Sequence, residues 1–229
     1  MAGRVGRGPY AAGSPGAVQW QVAPEVIGVS YDVKTGNAQG TTQTTTETGF
    51  VPMVPSFGAR IGLADGIDLG LHLQNLDSIA ADGKFLLLKG KFDVALDPGL
   101  QGYYVSINGN GGGVVYLHAP VLLGLNLSQN VSLVLSPGFV FSVATATFSG
   151  ASGVTGAASA TGFMGRLGLG FDFRIMPKFS IHPEFTVMKQ FSDANALIYV
   201  GGIGFNIGAH PDYSDLAEGG PTSPPPAGH

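Results

Sequence analysis

The stretch Phe163-Met164-Gly165-Arg166-Leu167-Gly168-Leu169-Gly170-Phe171-Asp172-Phe173-Arg174-Ile175 decides the fold. Phe163, Leu167, Leu169, Phe171, Phe173 and Ile175 share one face of an extended chain. Arg166, Asp172 and Arg174 share the other, diluted by Gly168 and Gly170. A period of two held for this long is a strand, because a helix face repeats every three to four residues.

The same alternation spreads outward from this segment. After Met176-Pro177, Phe179, Ile181, Phe185 and Val187 oppose Ser180, His182, Glu184 and Thr186. Leu197, Tyr199, Ile203, Phe205 and Ile207 form the apolar side of a closing strand. Upstream, Phe57, Ala59, Ile61 and Leu63 lead through Ala64-Asp65-Gly66 into Ile67, Leu69, Leu71 and Leu73, and Asp-Gly between alternating runs predicts a hairpin. Val115–Leu125 with Val131–Val143, Lys84–Leu88 with Phe92–Tyr104, and Val18–Tyr31 complete the series. The expectation is ten strands, at 18–31, 52–63, 67–75, 83–89, 92–106, 114–126, 130–144, 162–175, 178–190 and 196–208, with eight as the alternative.

Composition says what surrounds them. Only 11% of the 229 residues are charged, against roughly 25% in a soluble protein, and 37 are glycine. Yet no apolar run approaches the ~18 residues of a spanning helix. High apolar content, low charge and no long run are together the signature of alternating membrane strands. The net charge of -4, with no basic cluster, argues against nucleic acid. The absence of cysteine excludes disulfides and thiolate chemistry. The arginines of the first stretch are not followed by an apolar core, so it does not read as an export signal.

Short connections follow the even-numbered strands and longer ones the odd. Segments 32–51 and 145–161 are long and rich in Thr, Ser, Gly and Ala. In a membrane barrel the tight turns are periplasmic and the long loops external, which puts both chain ends in the periplasm. Residues 1–17 read as a flexible lead-in, 18–208 as one barrel, and 209–229, with Pro224-Pro225-Pro226, as a disordered tail. Leu96-Asp97-Pro98-Gly99-Leu100 and Leu135-Ser136-Pro137-Gly138-Phe139 place prolines mid-strand, where a bulge or local widening is expected.

The strings Gly58-Ala59-Arg60-Ile61-Gly62-Leu63-Ala64-Asp65-Gly66-Ile67-Asp68-Leu69-Gly70-Leu71 and Val131-Ser132-Leu133-Val134-Leu135-Ser136-Pro137-Gly138 resemble the small outer-membrane β-barrel proteins of Gram-negative bacteria. Gly201-Gly202-Ile203-Gly204-Phe205-Asn206 is similar to their closing strands. The resemblance covers about 18–208. It implies a transmembrane antiparallel β-barrel in the bacterial outer membrane, and no activity. Such barrels commonly end on an aromatic residue; here Phe205 is followed by more than twenty further residues.

If the apolar face meets lipid, the polar face lines the lumen. That face carries Glu25, Arg60, Asp68, His72, Asp93, Asp97, His118, Arg166, Asp172, Arg174, His182 and Glu184, with Lys84 joining if its strand keeps register. Acids and bases together predict a cross-strand network, centred on Arg166, Arg174, Asp172 and Glu184, because a buried charge is costly unless paired. Tyr31, Tyr103 and Tyr116 are expected to fill the remaining space. The alternative is a narrow diffusion channel with a weak cation preference, since acids outnumber bases.

A catalytic reading would need His72 to meet Asp97 or Ser106 near the outer rim; the chain is read as a non-enzyme. His72, His118 and His182 stand on separate strands, so no metal is expected, and Asn108–Gly113 lies between strands with no helix to receive a phosphate. No cofactor is implied. The partners expected are outer-membrane lipid and lipopolysaccharide, with protein or polysaccharide contact through loops 32–51 and 145–161. Trp20, Tyr103, Tyr104, Phe191 and Tyr199 are candidate interface anchors. The function expected is a structural barrel that presents its loops.

Overall fold

The computed structural model describes residues 15–36, 42–74, 78–107, 110–149, 155–191 and 196–208. The lead-in through residue 14, the tail from 209 and the middles of the two long connections, 37–41 and 150–154, lie outside them.

The chain makes ten antiparallel passes. The first is β1 (Val18–Ala23) and β2 (Glu25–Gly36), the second β3 (Thr42–Pro52) and β4 (Ser56–Ala64), the third β5 (Ile67–Gln74) and the fourth β6 (Ser78–Leu88). The fifth is β7 (Phe92–Leu96) and β8 (Gly99–Ile107), the sixth β9 (Asn110–His118) and β10 (Val121–Asn126). β11 (Val131–Ser149), β12 (Thr155–Met176), β13 (Phe179–Gln190) and β14 (Leu197–Gly208) are single passes. Each pass pairs with the next, and β14 returns to pair with β1 and β2, as in Trp20↔Ile207 and Val26↔Gly201. The sheet is therefore closed.

The four interruptions all contain proline: Pro24, Pro55, Pro98 and Pro120. Proline has no amide proton to give the ladder, so the strand bends there. Neighbouring backbone repairs the gaps. Met53 N donates to Glu25 O at 2.9 Å, Ile203 N to Pro24 O at 3.2 Å, Gly83 N to Pro98 O at 2.9 Å and Asp97 N to Pro120 O at 3.1 Å. The expected disturbance occurs at Pro98, whereas β11 runs unbroken through Pro137, opposite Leu167.

Which face is inside is settled by burial. Among the described residues, 25 polar or charged side chains are buried and only 8 apolar ones. Leu167, Leu169, Leu71, Phe139 and Ile203 are exposed, while Arg166, Gly168 and Gly170 between them are buried. A water-soluble barrel has the opposite polarity. The outer face of this one transfers favourably only into hydrocarbon, where a sheet leaves no backbone group unpaired only if it is closed.

The tight turns fall where expected, with Gly66 at φ +74° in the first, a conformation that glycine adopts without steric cost. The outer ends differ from expectation. Strand extends well into 32–51 and 145–161, and pass four begins at Ser78 instead of residue 83. The described outer parts of 32–51 and 145–161 are exposed on both faces, so neither lipid nor a packed interior imposes alternation on their sequence. Ser78–Asp82, by contrast, keeps its polar phase inward.

Candidate functional site

The interior is a network of ion pairs and hydrogen bonds in three regions. At mid-height, Arg60 on β4 is 2% exposed and pairs tightly with Asp82 on β6. Its guanidinium also reaches Asp68 on β5 at 3.6 Å and Asp97, at the β7–β8 break, at 3.8 Å. His72 Nε2 lies 2.6 Å from the second oxygen of Asp82. Lys84, fully buried, stands directly opposite Asp68 in the β5–β6 register.

Nearer the turns, Arg174 holds the end of the barrel together. Its Nε donates to Gln129 O at 2.7 Å, its Nη2 to Ser132 Oγ at 3.0 Å, and its Nη1 lies 3.3 Å from Asp172. Ser132 Oγ donates to Asn126 Oδ1 at 2.5 Å, and Asn126 in turn donates to Asp93 and to Gly90 O. His182 sits over Gly170, where a Cβ would meet its ring, and lies 3.6 Å from Glu184 and 4.0 Å from Asp172. Ser56 Oγ is 3.2 Å from Glu25.

Towards the mouth the interior divides. Val140, Met164, Met188 and Val200 form a buried apolar cluster with Ile27, Tyr116 and Ile198 against it. On the opposite wall Gln101 donates to Gln74 and to Ser78 Oγ. Arg166 lies two residues below Met164 on the same face of β12. It is 4% exposed, its side-chain nitrogens make no hydrogen bond, and the carboxylates of Glu184 and Asp97 are the charges that act on it.

Eleven of the residues expected to line the lumen are thus buried, and Glu184, half-buried overall, has its side chain against His182. Lys84 keeps the register that includes it. His72 is held by Asp82, which shares its carboxylate with Arg60. One expectation is corrected: Tyr31 does not fill the lumen, since it is 41% exposed above the rim and donates to Glu47 at 2.9 Å. Tyr103 and Tyr116 are half-buried. Of the anchors, Trp20, Tyr104 and Phe191 are well exposed on the outside.

The residue that sequence reading missed is Asp82. Ala81-Asp82-Gly83 repeats the turn tripeptide Ala64-Asp65-Gly66 and so reads as a loop. The signal that finds it is the phase of Ser78, Ala80, Asp82 and Lys84 against Ile79, Phe85 and Leu87.

No family model matches the chain, and no curated protein does. Among solved structures, the attachment invasion locus protein Ail of Yersinia pestis is 14% identical with a TM-score of 0.36, covering 82% of this chain and 97% of its own. Neisserial surface protein A is 10% identical with a TM-score of 0.38, covering 82% and 96%. The outer-membrane protease OmpT of Escherichia coli is 10% identical with a TM-score of 0.48, covering 85% and 97%. Likeness at that level carries no functional argument.

The closed wall, the apolar band and the polar interior are sufficient by themselves. The chain is a transmembrane β-barrel. An even number of antiparallel passes, with tight turns at one rim and long hairpins at the other, is the bacterial outer-membrane form. Its band contacts outer-membrane lipid. His72 and His182 belong to the ion network, and among the described residues no group of three or more His, Asp or Glu is placed to hold a metal.

Proposed function

We propose that this barrel is a structural platform that carries the β2–β3 and β11–β12 hairpins out of the membrane to meet lipopolysaccharide and an external protein or polysaccharide. In this reading Glu25, Arg60, Asp68, His72, Asp93, Asp97, His118, Arg166, Asp172, Arg174, His182 and Glu184 line a lumen filled by their own side chains.

The observation that carries it is the Arg60–Asp82–His72 node with Lys84 beside it, all buried at mid-height. A conduit would leave such groups hydrated. Here they hold one another, with the Val140–Met164–Met188–Val200 cluster on the outer side. The expected result in planar bilayers is no stepwise conductance from the purified, folded chain. Regular ohmic steps would establish the narrow channel instead, and with seven interior acids (Asp82 included) against four bases its reversal potential would favour cations.

A further inference from the structure

Among the described residues every strand of the wall has two neighbours except one. β3 pairs with β2 alone, from Val26↔Pro52 to Gly36↔Thr42, because the third pass stops at Gln74, opposite the start of β4. Its far edge is unpaired.

The direction of that edge can be read from the ladder. Met53 N donates to Glu25 O, so Glu25 and Met53 are a hydrogen-bonded pair. Bonding alternates along an antiparallel pair. In the unbroken register, Val51, Gly49, Glu47 and Thr45 therefore turn their amides towards β2. Phe50, Thr48, Thr46 and Thr44 turn both N–H and C=O outward.

Pro52, with no donor, ends the free edge where the strand joins the wall. An unpaired edge cannot lie in hydrocarbon, so this one stands above the bilayer. Folded proteins shield long exposed edges with charged side chains, lysine above all, with proline or with a bulge. The run Thr44-Thr45-Thr46-Glu47-Thr48-Gly49-Phe50-Val51 has no lysine, proline or bulge and a single charge, Glu47, and every residue in it is exposed. Its side chains are already engaged with β2: Thr46 donates to Asp32 at 2.8 Å, Thr48 to Ser30 at 3.1 Å, and Glu47 accepts from Tyr31. The backbone is what remains on offer.

We infer that the free edge of β3 is a docking site for an extended polypeptide segment of another protein, which adds to the β2–β3 hairpin as a third strand. This rests on the reading of the hairpins as contact surfaces and names the partner of one of them. The chain's own ends are poorly placed, since Val18 and Gly208 stand at the opposite rim. A second copy in the same membrane does not fit. Barrel strands tilt by roughly 35–45°, so rotation about the membrane normal makes two β3 strands cross instead of running side by side. A polysaccharide lacks donors and acceptors repeating at strand spacing. The edge strand itself carries one charge, Glu47, and no cation, so the incoming strand is uncharged or basic.

The test uses the full chain in lipid nanodiscs, panned with a random library of linear peptides about twelve residues long. Selected peptides are then titrated against Thr46→Pro and Thr48→Pro, which remove outward N–H groups, and against Thr46→Ala and Thr48→Ala, which keep them. The expected result is a loss of about tenfold or more for each proline and less than about threefold for each alanine. The heat-dependent gel shift confirms that each variant is folded; should one fail, Thr44→Pro, farther from the wall, repeats the test.

Peptides indifferent to the prolines, or as sensitive to alanine as to proline, would overturn the edge site. Binders that follow threonine side chains or β11–β12 would leave the hairpins as contact surfaces while removing this inference. A library that yields no binder on either hairpin would overturn the edge site and leave the hairpins' contact with lipopolysaccharide or polysaccharide standing.

Discussion

Ala64-Asp65-Gly66 and Ala81-Asp82-Gly83 are the same three residues in two unrelated situations. The first reverses the chain between β4 and β5, with Gly66 at positive φ. The second runs straight through β6, its carboxylate held by Arg60 and His72 in the middle of the barrel. Local preference is the same for both, so the difference comes from what each tripeptide joins. Asp65 itself stands in the apolar phase and interrupts it between Leu63 and Ile67. Around Asp82 it continues unbroken, and a buried cation opposite supplies a partner that the turn geometry could not reach.

The sharpest way to break this comparison is to neutralise each aspartate. Asp82→Ala removes the tightest partner of Arg60 and the carboxylate beside His72, and removing one partner of a buried pair costs about 3–5 kcal/mol. Asp65→Ala is expected to cost at most about 0.5 kcal/mol, as an exposed change away from any pairing. Urea unfolding followed by the gel shift of the heated and unheated protein measures both; equal effects would mean that Asp82 is not a member of the network.

The glycines test the same contrast in reverse. Gly66→Ala forces a side chain into the left-handed region and is expected to cost about 1 kcal/mol. Gly83 has no such φ, and a Cβ there would come no nearer than 3.3 Å, to the Phe85 ring, so Gly83→Ala should cost less than Gly66→Ala. The reverse order would assign the turn to the wrong tripeptide.

The smallest effect is expected where the strands leave the membrane. Glu47→Gln weakens one exposed hydrogen bond from Tyr31, and midpoint stability should stay within about 0.5 kcal/mol of the parent. A larger loss would mean that the β2–β3 hairpin contributes to the barrel's stability instead of standing on it.

How much of this was legible follows from which media touch each residue. From Val18 to about Tyr31, and through β4, β5, β12 and β14, lipid lies on one side and the packed interior on the other, so Leu and Phe alternate with Gly, Asp and Arg. There the strands and the buried polar residues were readable directly. Above the rim, Thr44–Thr48 and Thr145–Thr147 have water on both sides, and the period-two signal vanishes although the strands continue. Asp82 was hidden by a stronger local cue. The pairing of His72 with it depends on the β5–β6 register, in which Gly70↔Asp82 places that carboxylate next to the histidine's strand. No single-strand pattern contains that information.

The central claim is that the apolar phase of each pass touches lipid while the polar phase faces inward. The chain has no cysteine of its own, so single cysteines at 167, 168, 169 and 170 can each carry a fluorescent label in liposomes with a quencher dissolved in the acyl chains. The account predicts strong quenching at 167 and 169 and weak quenching at 168 and 170. Uniform quenching along the four, or the opposite phase, would contradict it.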